Sequence, residues 1–274
     1  MSATRHWMSA ADPRRAPSPW WYFRRAVYVS RRDYWRIFKA FVATGAPIGA
    51  LGWIAGQPVL LHTAFFMAAA GLALLAYSLL GLYRMYGHPA RAYFRRLLRM
   101  ARAEGARVVA DLHLGTYRHS FQLAGLLPAA TIHSVDVWNV EGAPAEAAVQ
   151  DVRDLEQAPS AHPRIRPARA QQFRVPLGTE SCDLVVLGFG THEIPPGAPR
   201  ETLLREANRI LKPGGRLAMF EHGYDLHNYL IFGPVIDHVT RKETWIRLLR
   251  EHFDDVVSSR TSHAVDLFAG TRRG

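Results

Sequence analysis

No Asp, Glu, Lys or Arg stands anywhere between Ala40 and Tyr83. A helix on the surface of a water-soluble domain keeps charge on its outer face, and this stretch has none to offer. As one continuous helix it would rise about 65 Å, roughly twice the ~30 Å of hydrocarbon in a bilayer. Gly56-Gln57-Pro58 interrupts it near the middle, where glycine and proline favour a turn. The expectation is a membrane hairpin of two helices, over 38–56 and 59–83. Gly45-x-x-x-Gly49 and Gly52-x-x-x-Gly56 give the first helix a smooth face. The second helix can pack closely there, and the same face leaves pairing between two chains open.

Arginine brackets the hairpin on both outer sides, whereas the turn at Gln57 carries no charge. By the positive-inside rule both ends are cytoplasmic and the turn lies on the far side of the inner membrane. Residues 1–36 are basic and aromatic, as in Pro19-Trp20-Trp21-Tyr22-Phe23, a mixture suited to a membrane–water interface. They hold no short apolar core with a small-residue cleavage site, so no removable signal peptide is read there. The net charge of +11 is almost entirely arginine, concentrated in the first hundred residues. No nucleic-acid-binding motif accompanies it, so membrane rather than nucleic acid is the expected partner. The single cysteine, Cys182, excludes an internal disulfide, and no Cys/His spacing fits a zinc site.

Beyond the hairpin the pattern changes. Residues 88–104 carry Tyr93, Phe94, Leu97, Leu98 and Met100 at helical spacing among arginines. They read as an amphipathic helix on the membrane surface or on the next domain. From there strand and helix signals alternate. Strands are expected at 108–112, 131–137, 164–168, 183–189 and 216–221, and helices at 117–126, 141–157, 200–211 and 242–253. Two short strands at 256–259 and 264–269 close the chain. Alternation of this kind implies an α/β fold with a mostly parallel sheet covered on both faces. Its ligand crevice lies at the carboxyl ends of the strands. Three regions result: 1–36, the hairpin 37–87, and a domain 88–274.

The run from Leu203 to Leu217 contains Leu211-Lys212-Pro213-Gly214-Gly215, a helix end, a tight turn and a strand start. It resembles the segment before the fifth strand of class I S-adenosylmethionine methyltransferases. Ser181-Cys182-Asp183-Leu184-Val185 and Thr191-His192-Glu193-Ile194-Pro195 are similar to that family's fourth strand and the loop after it, particularly in the ubiquinone/menaquinone-methyltransferase-like branch. The resemblance covers about residues 88–272. It implies a Rossmann-like sheet with a closing antiparallel strand, S-adenosylmethionine as cofactor, and a methyl acceptor as substrate.

The first glycine motif departs from the family. Where the pattern is Asp/Glu-x-Gly-x-Gly-x-Gly, this chain reads Asp111-Leu112-His113-Leu114-Gly115-Thr116-Tyr117. Only the middle glycine survives. The resemblance implies cofactor contacts from Asp111, Leu112, His113, Gly115, Thr116 and Tyr117. It adds Asp136 and Val137 at the end of strand two, with the Asp136 carboxylate accepting the ribose hydroxyls. Gln171 would stand in for the usual acid after strand three, and Gly188 would end strand four. His192 and Glu193 are the expected catalytic pair, beside the donor methyl. Glu221, His222, Tyr224 and His227 are expected to shape the acceptor pocket. His113, His192, Glu193 and His222 lack the spacing of a metal site, and none is expected. With a membrane hairpin, the acceptor is expected to be lipophilic: a quinone, isoprenoid or lipid. Altered chemistry on a quinone and a cofactor-free membrane scaffold are the alternatives. The lost glycines favour these, whereas Asp111, Gly115, Asp136 and the Leu-Lys-Pro-Gly-Gly turn speak against the scaffold.

Overall fold

The computed structural model describes residues 15–87, 90–138, 147–262 and 264–274. Helix α1 (Pro19–Val29) opens on Ser18, whose hydroxyl accepts the Trp21 N–H, with Pro19 at the first helical position. Both are ordinary start signals. Helix α2 (Arg31–Ile54) runs through Pro47 without stopping, and α3 (Pro58–Tyr86) returns after a turn at Gly56, where φ is +62°. The expected helices are present, each extended by several residues at its charged end. A Cβ on Gly52 would meet Leu60 Cβ and the Leu61 nitrogen at 2.9 Å, and one on Gly49 would touch Ala64. Gly49 and Gly52 therefore pack against α3 of the same chain, whereas a Cβ on Gly45 or Gly56 would meet nothing within 4 Å. Elsewhere the hairpin is bare: Trp53, Ile54, Val59, Phe65, Phe66 and Leu72 are all exposed.

Helix α4 (Ala90–Met100) settles the question left open for the amphipathic segment. Tyr93, Phe94, Leu97 and Leu98 are buried in the main core beside sheet residues such as Val109 and Phe220. There follow β1 (Val108–His113), α5 (Arg118–Leu126), β2 (Thr131–Asp136), α6 (Ala147–Leu155), β3 (Ile165–Arg169), β4 (Cys182–Gly188), α7 (Ala198–Ile210), β5 (Leu211–His222), α8 (Leu226–Phe232), α9 (Lys242–His252), β6 (Phe253–Arg260) and β7 (Val265–Arg272). The sheet order is β3-β2-β1-β4-β5-β7-β6, parallel except at β7, which runs antiparallel to β5 and to β6. The Rossmann-like sheet with its antiparallel closing strand is as expected. Part of the helix expected over 141–157 falls outside the described residues; the remainder is α6. Helix α8 was not foreseen.

Two motif residues explain how the sheet is pinned at its amino edge. Asp183 Oδ2 accepts the N–H groups of Arg107 and Val108, both at 2.8 Å, while Lys212 Nζ donates to its Oδ1 at 2.6 Å. One carboxylate thus fixes the starts of β1, β4 and β5, and the lysine beside it holds the carboxyl below its usual range. Gly214, at φ +74°, lets β5 irregularly join β4 between Cys182 and Leu184. These contacts set the opposite, carboxyl edge free for chemistry.

The hairpin is not loosely tethered to this domain. Leu82 and Met85 of α3 and Ala26 of α1 share one buried cluster with β1, β2, β4, β5 and β7. Arg118, 1% exposed, donates to the Met85 carbonyl at 2.7 Å and to Tyr93 Oη at 3.1 Å. Arg31 at the start of α2 pairs with Asp151 of α6 at 2.7 Å.

Candidate active site

The carboxyl ends of β1, β2 and β4 carry the loops the sequence singled out. Beyond β1 the chain turns at Gly115, φ +93°, a region that favours glycine. His113 occupies the place of the first missing glycine. It is buried, its Nδ1 accepts the Gly115 N–H at 3.0 Å, and its Nε2 lies 2.9 Å from Ser134 Oγ. Since Nδ1 accepts, the proton sits on Nε2 and points to Ser134. Burial pushes this imidazole down to about 4, so it is neutral. His113 therefore braces the loop against β2. The Ser134 and Ser120 hydroxyls are 2.6 Å apart, and Ser120 donates to Asp111 Oδ2 at 2.5 Å. Asp111 is wholly buried, with its pKa pushed up by burial to about 7. It faces α5 and lines neither of the cavities described below.

Asp136 ends β2 and is held bidentately by Arg153 of α6, at 2.9 and 2.8 Å, with the Trp138 N–H at 3.0 Å. The same arginine lies over the bare α-carbon of Gly115, where a Cβ would meet its Nη1 at 2.6 Å. Glu156 just beyond α6 accepts from Thr116 Oγ1 at 2.9 Å and from the Tyr117 N–H at 2.6 Å, and pairs with buried Arg25 of α1. Gly115, Thr116, Tyr117 and Asp136 are thus brought together with three partners that sequence reasoning missed: Arg25, Arg153 and Glu156. Leu112 and Val137 are buried beside them. Gln171 stands apart, exposed beyond β3 in a bridge to Arg174. The space at the α-carbon of Gly188 is filled by the Phe220 ring.

The loop after β4 presents the other group. Gly190, φ +152°, opens a short 3-10 turn over Thr191–Glu193. Glu221, fully buried at the end of β5, accepts the Thr191 N–H at 2.9 Å through Oε1, while its Oε2 meets His192 Nδ1 at 2.7 Å. His192 Nε2 lies 3.3 Å from Glu193 Oε1, and His238 Nε2 is 3.4 Å from that same oxygen. Burial opposes charge on His192, but the flanking Glu221 and Glu193 outweigh it and push the imidazole up to about 10. Glu193 is correspondingly held down at about 2, its hydrogen bonds to His192 and His238 outweighing burial. Buried Arg200 clamps the loop from behind, donating to the carbonyls of His192 at 3.1 Å and Ile194 at 2.7 Å and stacking over Trp245. His222 stacks on Phe189, with centroids 4.3 Å apart, and is pushed down by burial to about 3. Tyr224 and His227 sit further out; Tyr224 donates to Asp237 at 3.2 Å, and His227 bonds Tyr77 of α3.

Two cavities meet here. The first, of about 180 Å³, is lined by Thr116, Arg118, Phe189, His192, Glu193 and His222, among others. The second, of about 640 Å³, is almost wholly apolar and runs between α2, α3 and α8 past Phe41, Gly45, Ala68 and Leu75. They share Tyr34, Ile37 and Ile231 in their walls. Arg118 presents Nε and Nη1 without a hydrogen-bond partner, although the side chain is buried. A buried cation in that state favours an anionic or oxygen-bearing ligand beside it.

The family description "Methyltransferase domain" fits residues 111–219. The chain is 31% identical over 118 residues to the ubiquinone/menaquinone biosynthesis C-methyltransferase of Syntrophotalea carbinolica, covering 43% of this chain and 44% of that protein. It therefore spans less than half the length of the curated relative it resembles. Solved structures of similar form include a SAM-dependent methyltransferase from Aquifex aeolicus (16% identity, 65% of this chain and 89% of that one, TM-score 0.48). Another is the N-methyltransferase NodS from Bradyrhizobium japonicum with S-adenosyl-L-homocysteine (15% identity, 67% and 87%, TM-score 0.47). Residues 111–219 thus carry a methyltransferase domain, on a Rossmann-like sheet with an antiparallel closing strand.

Proposed function

We propose that this class I methyltransferase chain transfers a methyl group from S-adenosylmethionine to a lipophilic acceptor that enters sideways from the cytoplasmic leaflet of a bilayer. The observation that carries this reading is the shared wall of the two cavities, which sets an apolar slot between the hairpin helices directly beside the cavity at the carboxyl edge of the sheet. An apolar cavity of about 150 Å³ accepts one benzene ring, so the first cavity suits a single ring-sized head group. The longer slot suits an isoprenoid or acyl tail. The resemblance to a ubiquinone/menaquinone C-methyltransferase makes a quinone precursor the leading head group.

The donor set fits the cofactor. A carboxylate ends β2, and a positive-φ glycine, Gly115, follows β1. Asp136 would hold the ribose and the loop at Gly115 the methionyl part. Arg153 and Glu156 are the groups that must yield or re-aim as the cofactor enters. Bound there, S-adenosylmethionine supplies an electrophilic methyl group on sulfur. Transfer needs donor and nucleophile held in line, which rigid positioning achieves. Glu221, Thr191 and Arg200 fix His192 and Glu193 at the head-group cavity, where they would meet the acceptor's reacting oxygen or the carbon beside it.

Membrane anchoring rests on the bare hairpin. In a soluble protein a helix this apolar is a buried core helix, but almost none of either apolar stretch is covered by the rest of the chain. The test is to incubate the detergent-purified chain with isotopically labelled S-adenosylmethionine and long- and short-tailed acceptors. Label passing to a long-tailed acceptor, and less of it with Asp136→Ala, is the expected result. Label passing equally well to water-soluble head groups would remove the apolar slot from the mechanism.

A further inference from the structure

We propose that His192, Glu193 and His238 form a divalent transition-metal site, of Zn²⁺ type, whose open position faces the head-group cavity. The three donor atoms lie within 4.8 Å of one another. Two of the three edges are already at metal-site length. His192 Nε2 to Glu193 Oε1 is 3.3 Å, and His238 Nε2 to the same oxygen is 3.4 Å. Ligands about 2.1 Å from a tetrahedral zinc stand about 3.4 Å apart. The edge between the two imidazoles is at most 4.8 Å, and His238 is itself exposed at the end of its 3-10 turn (Gly233–His238). Two histidines and a glutamate are one of the donor sets that hold catalytic zinc with a vacant position.

The surroundings strengthen the assignment. Ligating histidines usually give their second ring nitrogen to a carboxylate, which fixes ring orientation. Here His192 Nδ1 meets the fully buried Glu221 at 2.7 Å, so Nε2 is the atom left to face outward. Arg200 holds the carbonyls of His192 and Ile194, which keeps the two loop ligands in register. His192, Glu193 and His238 all line the first cavity. An ion there would hold a hydroxyl oxygen of the acceptor and favour loss of its proton to solvent. That role rests on the proposed acceptor site; the ion site itself does not.

The experiment uses the full-length chain in detergent, stripped with chelator and titrated with Zn²⁺ by calorimetry and with Co²⁺ by visible absorption. The expected result is one equivalent bound, with the intense Co²⁺ bands of a four- or five-coordinate site. His238→Ala and Glu193→Gln should each weaken binding by more than the roughly ten- to hundredfold that loss of a ligand's outer hydrogen-bond partner costs, whereas His133→Ala on β2 should leave it unchanged. S-adenosylmethionine binding is measured on the same samples without metal. Metal binding with no cofactor binding would keep the ion site and overturn the proposed function. Sub-stoichiometric binding, or binding that survives His238→Ala, would overturn the ion site.

Discussion

Two carboxylates at the sheet's carboxyl edge do different work, and their neighbours decide which. Asp136 is met by a guanidinium, whereas Asp111 is wholly buried beside a serine hydroxyl. If Asp136 takes the ribose, Asp136→Ala should weaken S-adenosylmethionine binding at least tenfold by calorimetry. Arg153→Gln should not abolish binding, because it frees the carboxylate; loss with Arg153→Gln but not Asp136→Ala would reverse the assignment. Asp111 makes a separate prediction about stability. Its pKa is raised from 3.8 to about 7, so its favourable contribution is full below about pH 4 and is lost as pH rises to about 7. Asp111→Asn should therefore melt like the parent near pH 4 and above it near pH 7.5, by up to about 4 kcal/mol. A constant gap across that range would mean Asp111 is ionised throughout.

Elements were legible in the sequence where local chemistry dictated them. Hydrophobic runs marked β1, β2, β4 and β5, and Lys212-Pro213-Gly214-Gly215 marked the entry to β5. Gly115, Asp136, His192 and Glu193 were legible as candidates because each sits at or just beyond a strand end. The rest of the site was hidden because it is assembled over distance. Arg25, Glu156 and His238 come from α1, the loop beyond α6 and the turn after α8, and nothing in their own neighbourhoods marks them. Helix α8 is capped by Asp225, which accepts the Asn228 N–H at 2.9 Å. Its apolar residues serve the hairpin rather than a periodic face of the sheet, so periodicity did not reveal it. The slot between α2, α3 and α8 can be tested by filling it. Gly45 lines it, and a Cβ there meets nothing within 4 Å. Gly45→Leu should leave folding intact and raise KM for a long-tailed acceptor severalfold, with little change for a truncated one. Equal effects on both acceptors would detach the slot from substrate binding.

The whole molecule joins hairpin and domain through one core, since Leu82 and Met85 pack among sheet residues and Arg118 donates to the Met85 carbonyl. A chain lacking residues 1–87 should therefore lose more than the hairpin: Arg118 and the α4 face would be uncovered, and the product should aggregate or melt at least about 10 °C lower. Orientation is testable with a single new thiol, because the native Cys182 is buried. Gln57→Cys should react with a membrane-impermeant maleimide from the side opposite the domain; labelling from the domain side would remove the proposed topology. The shared core has a kinetic consequence. If the hairpin spans a bilayer as proposed, a domain sharing its core would stay at fixed height and tilt above the lipid, and its search for substrate would be two-dimensional. Turnover should then follow the acceptor's mole fraction within the bilayer, and adding inert lipid at constant total acceptor should slow the enzyme by surface dilution.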